Sequence, residues 1–166
     1  MFEKQASPIH VRPTARVVLL DPDDRILLMK GRPSTTQPGP GAWFPIGGGV
    51  EPGETYLEAA AREIREETGI LEFQLGPVLW LREGVLHVPD PKLFIEQYVL
   101  ARCEAAEPDR AGWDALERAL IDDIRWWTLQ ELITTTDRVF PPGLARLLPE
   151  ILAGELPAQP RVIPWD

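Results

Sequence analysis

The sequence predicts an α/β fold in which a mixed sheet is packed between helices. Short apolar runs typical of strands lie on both sides of one central amphipathic helix, and further helical segments follow near the C-terminus. The length of 166 residues suits one domain with a substantial core. We therefore expect a single domain over residues 1–166, in which 1–13 and 157–166 are loosely packed arms.

The first predicted elements form a β-hairpin. Residues 15–20 and 25–30 are apolar runs, and the four turn-forming residues at 21–24 separate them. Residues 31–42 follow as a loop rich in Pro, Gly, Ser and Thr. This segment is either a plain surface loop or a flap over a ligand, and its length favours the flap.

The central helix is predicted between residues 55 and 69. Thr55 can cap its start, Glu58 completes a capping box, and Gly69 can end the helix in the left-handed conformation. Four residues at helical spacing form one apolar stripe, which we expect to face the core: Leu57, Ala60, Ala61 and Ile64.

The remainder of the chain has alternating strand and helix patterns. Gly76 and Pro77 interrupt the first of these segments, which therefore indicates one or two strands. The predicted elements are strand at 71–81, loop at 83–91, strand at 93–103, helix at 113–120, strand at 123–128, and helices at 129–135 and 143–153.

One face of the central helix is acidic. Glu63, Glu66 and Glu67 are spaced i, i+3 and i+4, and the small Ala59 on the same face leaves room beside them. Such carboxylates repel one another by roughly 2–4 kcal/mol per pair at an effective dielectric near 20. A divalent Mg²⁺ or Mn²⁺ ion would supply the countercharge. The alternative is a solvated acidic face, which does not explain the glycines and charges at fixed offsets around it.

Residues 48–70 resemble the signature of the Nudix hydrolase family, G-x5-E-x7-R-E-U-x-E-E-x-G-U, where U is aliphatic. Every fixed position is present: Gly48, Glu54, Arg62, Glu63, Ile64, Glu66, Glu67, Gly69 and Ile70. The resemblance implies the α/β/α sandwich of that family. It also implies metal-dependent hydrolysis of a nucleoside diphosphate linked to another moiety, such as a nucleoside triphosphate, a nucleotide sugar, ADP-ribose or a dinucleotide polyphosphate.

The resemblance also implies roles for individual residues. Glu63, Glu66 and Glu67 would hold the metal, and the carbonyl of Gly47 is expected as a further ligand. Arg62 and Glu54 would pair across the junction of loop and helix. One more acidic residue outside the signature often acts as base or ligand; Glu117 is our candidate, and the competing residues are Glu96, Asp122 and Asp123.

Substrate contacts are less well specified by the sequence. Lys30, Arg32 and Arg82 lie near predicted strand ends and are candidates for phosphate binding, although most such side chains only face solvent. Aromatic residues that could stack on a base are Trp43, Trp80, Trp113, Trp126, Trp127 and Phe94. We expect at most one or two of them to touch a ligand.

Composition restricts the partners and the compartment. The net charge of −9 disfavours nucleic acid and acidic membranes as partners. The resemblance to the Nudix family implies a small-molecule nucleotide substrate instead. The single Cys103 excludes an internal disulfide and fits a reducing, cytoplasmic location, and a homodimer is left open. Two other functions compete: a non-catalytic nucleotide-binding module, and an isoprenoid diphosphate isomerase, which would need a further Cys and Glu constellation.

Overall fold

A computed structural model describes residues 8–32, 40–86 and 90–166. Its helices and strands alternate along the chain much as the sequence predicts. They are β1 (His10–Leu20), β2 (Ile26–Gly31), β3 (Ala42–Pro45), β4 (Gly47–Gly49), α1 (Tyr56–Thr68), β5 (Phe73–Leu86), β6 (Lys92–Cys103), α2 (Ala115–Leu120), β7 (Ile121–Trp127), α3 (Leu129–Thr134), α4 (Leu144–Leu152) and β8 (Arg161–Val162).

The strands form one mixed sheet. In the described ranges its order is β3-β2-β1-β6-β5-β8, with β4 beside β1 and β7 beside β2. β1 and β6 run parallel from His10 to Leu20, whereas β5 and β6 are antiparallel. The predicted β1–β2 hairpin is present, with Leu20 opposite Ile26. β4 instead pairs with the earlier part of β1, from Thr14 to Arg16.

Each face of the sheet has its own hydrophobic core. On one face, Val17 of β1 packs with Ile64 of α1. On the other, Val18 packs with Leu148 of α4, and α3 contributes to the same core. Helices therefore cover both faces, and the predicted α/β/α sandwich with a mixed sheet is confirmed. Within the described ranges, every helix is too short or too polar to cross a membrane.

β5 is longer than its sequence suggests. The strand continues across Gly76 and Pro77 and through residues 83–86, which we predicted to be loop. Its register against β6 shifts between Leu75 and Trp80, so the proline falls where regular pairing is interrupted. Residues 87–89 of the predicted loop, and 33–39 of the predicted flap, lie outside the described residues.

Parts of the terminal segments pack more closely than the loose arms that we predicted, whereas residues 1–7 of the first arm lie outside the described residues. β1 already begins at His10, and residues 10–13 pair with β6. At the other end, β8 pairs with β5, and Ile163 is buried in the core beneath α4. These contacts join segments far apart in sequence, which local patterns do not reveal.

Candidate active site

Thr55 and Gly69 end α1 as predicted, although only the Thr55 half of the predicted capping box forms, and the buried face of the helix is rotated from the predicted stripe. Thr55 caps the helix by accepting a hydrogen bond of 3.1 Å from the backbone N–H of Glu58, and Gly69 is left-handed at φ 73°. Leu57, predicted to face the core, is 43% exposed. Glu63 and Glu67 are instead 8% and 6% exposed, so the helix turns two carboxylates towards the sheet.

The glycines of β4 make room for these carboxylates. Oε2 of Glu67 accepts a hydrogen bond of 3.2 Å from the N–H of Gly47. A Cβ atom on Gly48 would overlap Oε1 of Glu63. Gly47 has a φ of 146°, and a Cβ there would overlap the carbonyl oxygen of Ala15 on β1. Strand β4 therefore holds both carboxylates closely because it has no side chains.

The buried carboxylates of Glu63 and Glu67 repel each other when both are ionised and no cation is bound. Burial raises the pKa of Glu67 well above its usual value, and the negative charge of Glu63 raises it further. The Gly47 N–H and the positive charge of Arg16 oppose this only in part. The pair thus concentrates negative charge that a proton or a metal cation would neutralise.

Arg62 organises the charges around the pair. Its Nε and Nη2 donate to Oε2 and Oε1 of Glu54 at 2.8 and 2.9 Å, which is the predicted pairing. Nη2 also donates to the carbonyl of Gly49 at 2.9 Å. Nη1 donates to Oε1 of Glu63 at 2.9 Å and to Oε2 of Glu66 at 3.2 Å. The bond to Arg62 lowers the pKa of Glu54 to about 2.

We expect Arg62→Lys to lower kcat by roughly 10–100-fold, because an ammonium cannot reproduce the fork that joins Glu54, Gly49 and Glu63. Steady-state kinetics with a hydrolysed substrate would measure this loss. Arg65→Lys is the matched control: Arg65 lies on the same helix, exposed, with its guanidinium 5.2 Å from the ring centre of Phe73. Unchanged turnover and thermal stability in Arg62→Lys would contradict the organising role.

The donor set fits a hard divalent cation. Glu63 and Glu67 are oxygen donors packed against glycines, and their combined charge is poorly compensated. Glu66 is partly exposed and bonded to Arg62, so it can turn without repacking the core. Among the described residues, no three acidic side chains already form a ligand set.

Glu117 differs from the other candidate bases in its surroundings. Its Oε2 is buried without a hydrogen-bond partner among the described residues. Burial, followed by the charge of Asp114, raises its pKa to about 7, and Glu63 adds a smaller effect. The competing residues are paired with arginines: Glu96 with Arg16 and Arg82, Asp122 with Arg32, and Asp123 with Arg110. Its role as base stays a prediction.

The structure contradicts phosphate binding by Arg82. This side chain is 5% exposed, and its Nη1 lies 2.6 Å from Oε1 of Glu96. Its Nε and Nη2 donate to the carbonyls of Pro164 and Trp165 at 3.2 and 2.6 Å. All three nitrogens are occupied, because the C-terminal segment folds back onto β5.

The other two phosphate-binding candidates stay predictions. Arg32 lies 3.4 Å from Asp122 and donates to the carbonyl of Ala119 at 3.1 Å. Nζ of Lys30 lies 5.8 Å from the ring centre of Trp43.

The sequence interpretation missed two cations on β1. Nε of Arg16 lies 3.0 Å from Oε2 of Glu96, and its charge stabilises the ionised form of Glu67. Arg12, four residues earlier on the same strand face, lies beside Gly49. Arg12 and Arg16 are four residues apart, which places both side chains on one face of a strand. The sequence shows this only once β1 is known to begin at His10.

The fold and this site define the class: an α/β/α sandwich with a pair of buried carboxylates against a glycine strand. The sequence profile of the NUDIX domain matches residues 10–150, and the chain belongs to the Nudix family. Glu54, Arg62, Glu63, Glu66 and Glu67 all lie within the matched region.

Individual relatives agree with this assignment. An RNA pyrophosphohydrolase of Halorhodospira halophila is 26% identical over 150 residues, covering 82% of this chain and 79% of that protein. A bovine m7GpppN-mRNA hydrolase, NUDT17, is 38% identical over 68 residues, covering 41% of this chain and 22% of its own length. The chain thus spans about a fifth of that relative.

A solved structure of similar fold is the MutT protein from Methanosarcina mazei. It superposes with a TM-score of 0.63 at 17% identity, covering 90% of this chain and 98% of the other.

Proposed function

We propose that this protein is a metal-dependent hydrolase of nucleoside diphosphates linked to another moiety. The observation that carries the proposal is the buried pair Glu63 and Glu67 against Gly47 and Gly48, with the pKa of Glu67 raised by burial and by its neighbour. The family assignment and the names of the relatives support it.

Glu63, Glu66 and Glu67, with the carbonyl of Gly47, would hold Mg²⁺ or Mn²⁺. The cation would supply charge neutralisation of the diphosphate and a lowered pKa for a bound water. Arg62 keeps Glu63 and the loop at Gly49 in place through its bonds to both. Arg16 provides positive charge beside Glu67, where an anionic substrate approaches a protein of net charge −9.

Glu117 is the proposed proton acceptor. Its unbonded Oε2 and its pKa of about 7 suit a group that takes a proton from the attacking water near neutral pH. The water oxygen forms a bond to phosphorus, the bond from phosphorus to the bridging oxygen breaks, and the leaving phosphate departs with that electron pair.

We expect Glu117→Gln to lower kcat by about 100-fold or more. The same change should raise the melting temperature at pH 8. A folded pKa of about 7 against an ordinary 4.5 means that the wild type loses stability as the pH rises through that window. The stabilisation should therefore vanish below pH 4.5.

Kinetics and thermal melts over pH 4–9 would test both expectations. A kcat loss below about tenfold removes Glu117 from the mechanism. A large loss in Asp122→Asn instead would transfer the role to that residue.

The two competing functions have less support. A non-catalytic module would be expected to lack one or more acidic positions, and all are present. Isomerase chemistry needs a reactive cysteine, whereas burial raises the pKa of Cys103 to about 11. Neither observation favours either function over hydrolysis.

The proposal includes a small nucleotide as substrate, no nucleic-acid partner and a cytoplasmic location. The acidic net charge and the single free Cys103 support these points. A homodimer remains compatible with it.

A substrate screen tests the proposed function directly. Purified protein would be incubated with Mg²⁺ or Mn²⁺ and nucleoside triphosphates, nucleotide sugars, ADP-ribose, dinucleotide polyphosphates and a short 5′-triphosphorylated RNA. We expect cleavage of a phosphoanhydride bond in at least one small nucleotide. Cleavage of none would contradict hydrolysis, and cleavage of the RNA alone would contradict the small-molecule substrate.

A further inference from the structure

One face of strands β1, β6 and β5 carries an ordered set of side chains, among which Tyr98 and Trp80 belong to the core beneath α4. Side chains that are neighbours across these strands fall into three rows, since paired residues point to the same face. The rows are Arg16–Tyr98–Trp80, Thr14–Glu96–Arg82 and Arg12–Phe94–Gly84. The third row begins next to the glycine strand and ends beneath the C-terminal segment.

Trp165 lies over the end of this third row. A Cβ atom on Gly84 would overlap the indole, so the ring lies directly on the strand backbone. The indole stacks with the ring of Phe94, with centroids 6.0 Å apart and planes at 23°. The guanidinium of Arg82 is 4.1 Å from the centre of the indole.

The backbone around Trp165 is fixed as well. Arg82 donates to the carbonyls of Pro164 and Trp165, and the N–H of Ile163 donates to the carbonyl of Leu81 at 2.9 Å. Ile163 itself is buried in the core. The indole is therefore held in one place, yet Trp165 and Phe94 both keep part of their surface exposed.

Arg12 joins this aromatic pair to the signature loop. Its guanidinium carbon is 5.9 Å from the ring centre of Phe94. Two of its nitrogens would lie 3.8 Å from a Cβ on Gly49. From β4 across β1 and β6 to β5 there are three strand spacings, about 14 Å in all. An extended nucleoside diphosphate has a comparable reach.

We propose that Trp165 and Phe94 form the base-binding end of the site, and that the base is a purine. This inference rests on the proposed function for the position of the phosphates. A purine offers the larger flat ring to an aromatic platform. Arg12 lies between Phe94 and Gly49, where its guanidinium can contact either the base or the phosphates of the bound nucleotide.

The test measures binding rather than turnover. Calorimetric titrations would use AMP, GMP, UMP and ribose 5-phosphate against the wild type, Trp165→Ala and Trp165→Phe. We expect Trp165→Ala to weaken AMP and GMP by about tenfold or more and to leave ribose 5-phosphate unchanged. Trp165→Phe should retain most of the purine affinity.

Two further variants separate base stacking from a merely structural role. Gly84→Ala keeps Trp165 but displaces its indole, because the new Cβ would overlap the ring. This variant should therefore lose as much purine affinity as Trp165→Ala. Val162→Ala changes an exposed side chain of the same segment and should bind as the wild type does. Wild-type purine affinity in Trp165→Ala, an equal loss for ribose 5-phosphate, or a wild type that binds neither purine nucleotide would each overturn the inference.

The outcomes also separate this inference from the proposed function. If Trp165 is needed for purine binding but no diphosphate derivative is hydrolysed, the base site is supported and the proposed hydrolase activity is contradicted. If the rate of hydrolysis changes neither on substitution of Trp165 nor with the identity of the base, the base site alone is contradicted.

Discussion

Replacing Glu67 by Gln is expected to lower kcat by about 10³-fold while leaving the protein folded. Glutamine keeps the size of the side chain that fills the space beside Gly47, but it removes the charge that would bind the cation. The change also removes the like-charge repulsion with Glu63, so the metal-free variant should melt at a higher temperature than the wild type. Kinetics with Mg²⁺ and metal-free thermal melts would measure the two effects.

Glu58→Gln is the matched control for this variant. Glu58 lies on the same helix, in its exposed first turn, and its side chain has no place in the carboxylate pair. It should keep wild-type turnover. Retained turnover in Glu67→Gln, or the same loss in both variants, would contradict the role assigned to the buried carboxylate.

Gly47→Ala is expected to cost about 3 kcal/mol or more of folding free energy. The residue has a φ of 146°, which side-chain-bearing residues rarely adopt, and the new Cβ would overlap the carbonyl oxygen of Ala15. For a domain of this size the melting temperature should fall by about 6–12 °C. Urea unfolding and thermal melts would measure the loss.

Gly53→Ala isolates the steric part of that loss. Gly53 also has a positive φ, of 80°, but a Cβ there meets nothing within 4 Å. Backbone strain alone should cost about 1 kcal/mol. Equal losses in the two variants would show that β4 tolerates a side chain, and the close approach of the carboxylates would need another explanation.

Local patterns were sufficient for the elements that form the acidic site. The caps at Thr55 and Gly69 follow from residue type, because a capping hydroxyl and a left-handed glycine act within one helical turn. The spacing of Glu63 and Glu67 fixes their common side of α1 in the same way. The pairing of Arg62 with Glu54 was also predicted, since the two lie within one short segment.

The rotation of α1 could not be predicted from the helix alone. Leu57 looks like a core residue on a helical wheel, yet it is exposed, and Glu63 is buried. The reason lies outside the helix: the glycines of β4 create space for carboxylates, and the small residues Ala59 and Ala60 are fully buried in the core between α1 and the sheet. Long-range packing thus overrode the local apolar pattern.

The C-terminal segment was missed for a similar reason. Arg82 looked available for phosphate because its partners, Glu96 and the carbonyls of Pro164 and Trp165, are distant in sequence. Trp165 is not among the aromatic residues predicted to stack on a base, and its segment is predicted to be a loosely packed arm. Because β8 has only two residues, its sequence contains no alternating pattern that would predict its parallel pairing with β5.

The most direct test of the acidic site is a Mn²⁺ titration followed by electron paramagnetic resonance. We expect the wild type to remove free Mn²⁺ from solution, and expect Glu67→Gln and Glu63→Gln to bind it at least about tenfold more weakly. Glu58→Gln should match the wild type. Undiminished Mn²⁺ binding in both buried variants would contradict the claim that this pair exists to hold a cation.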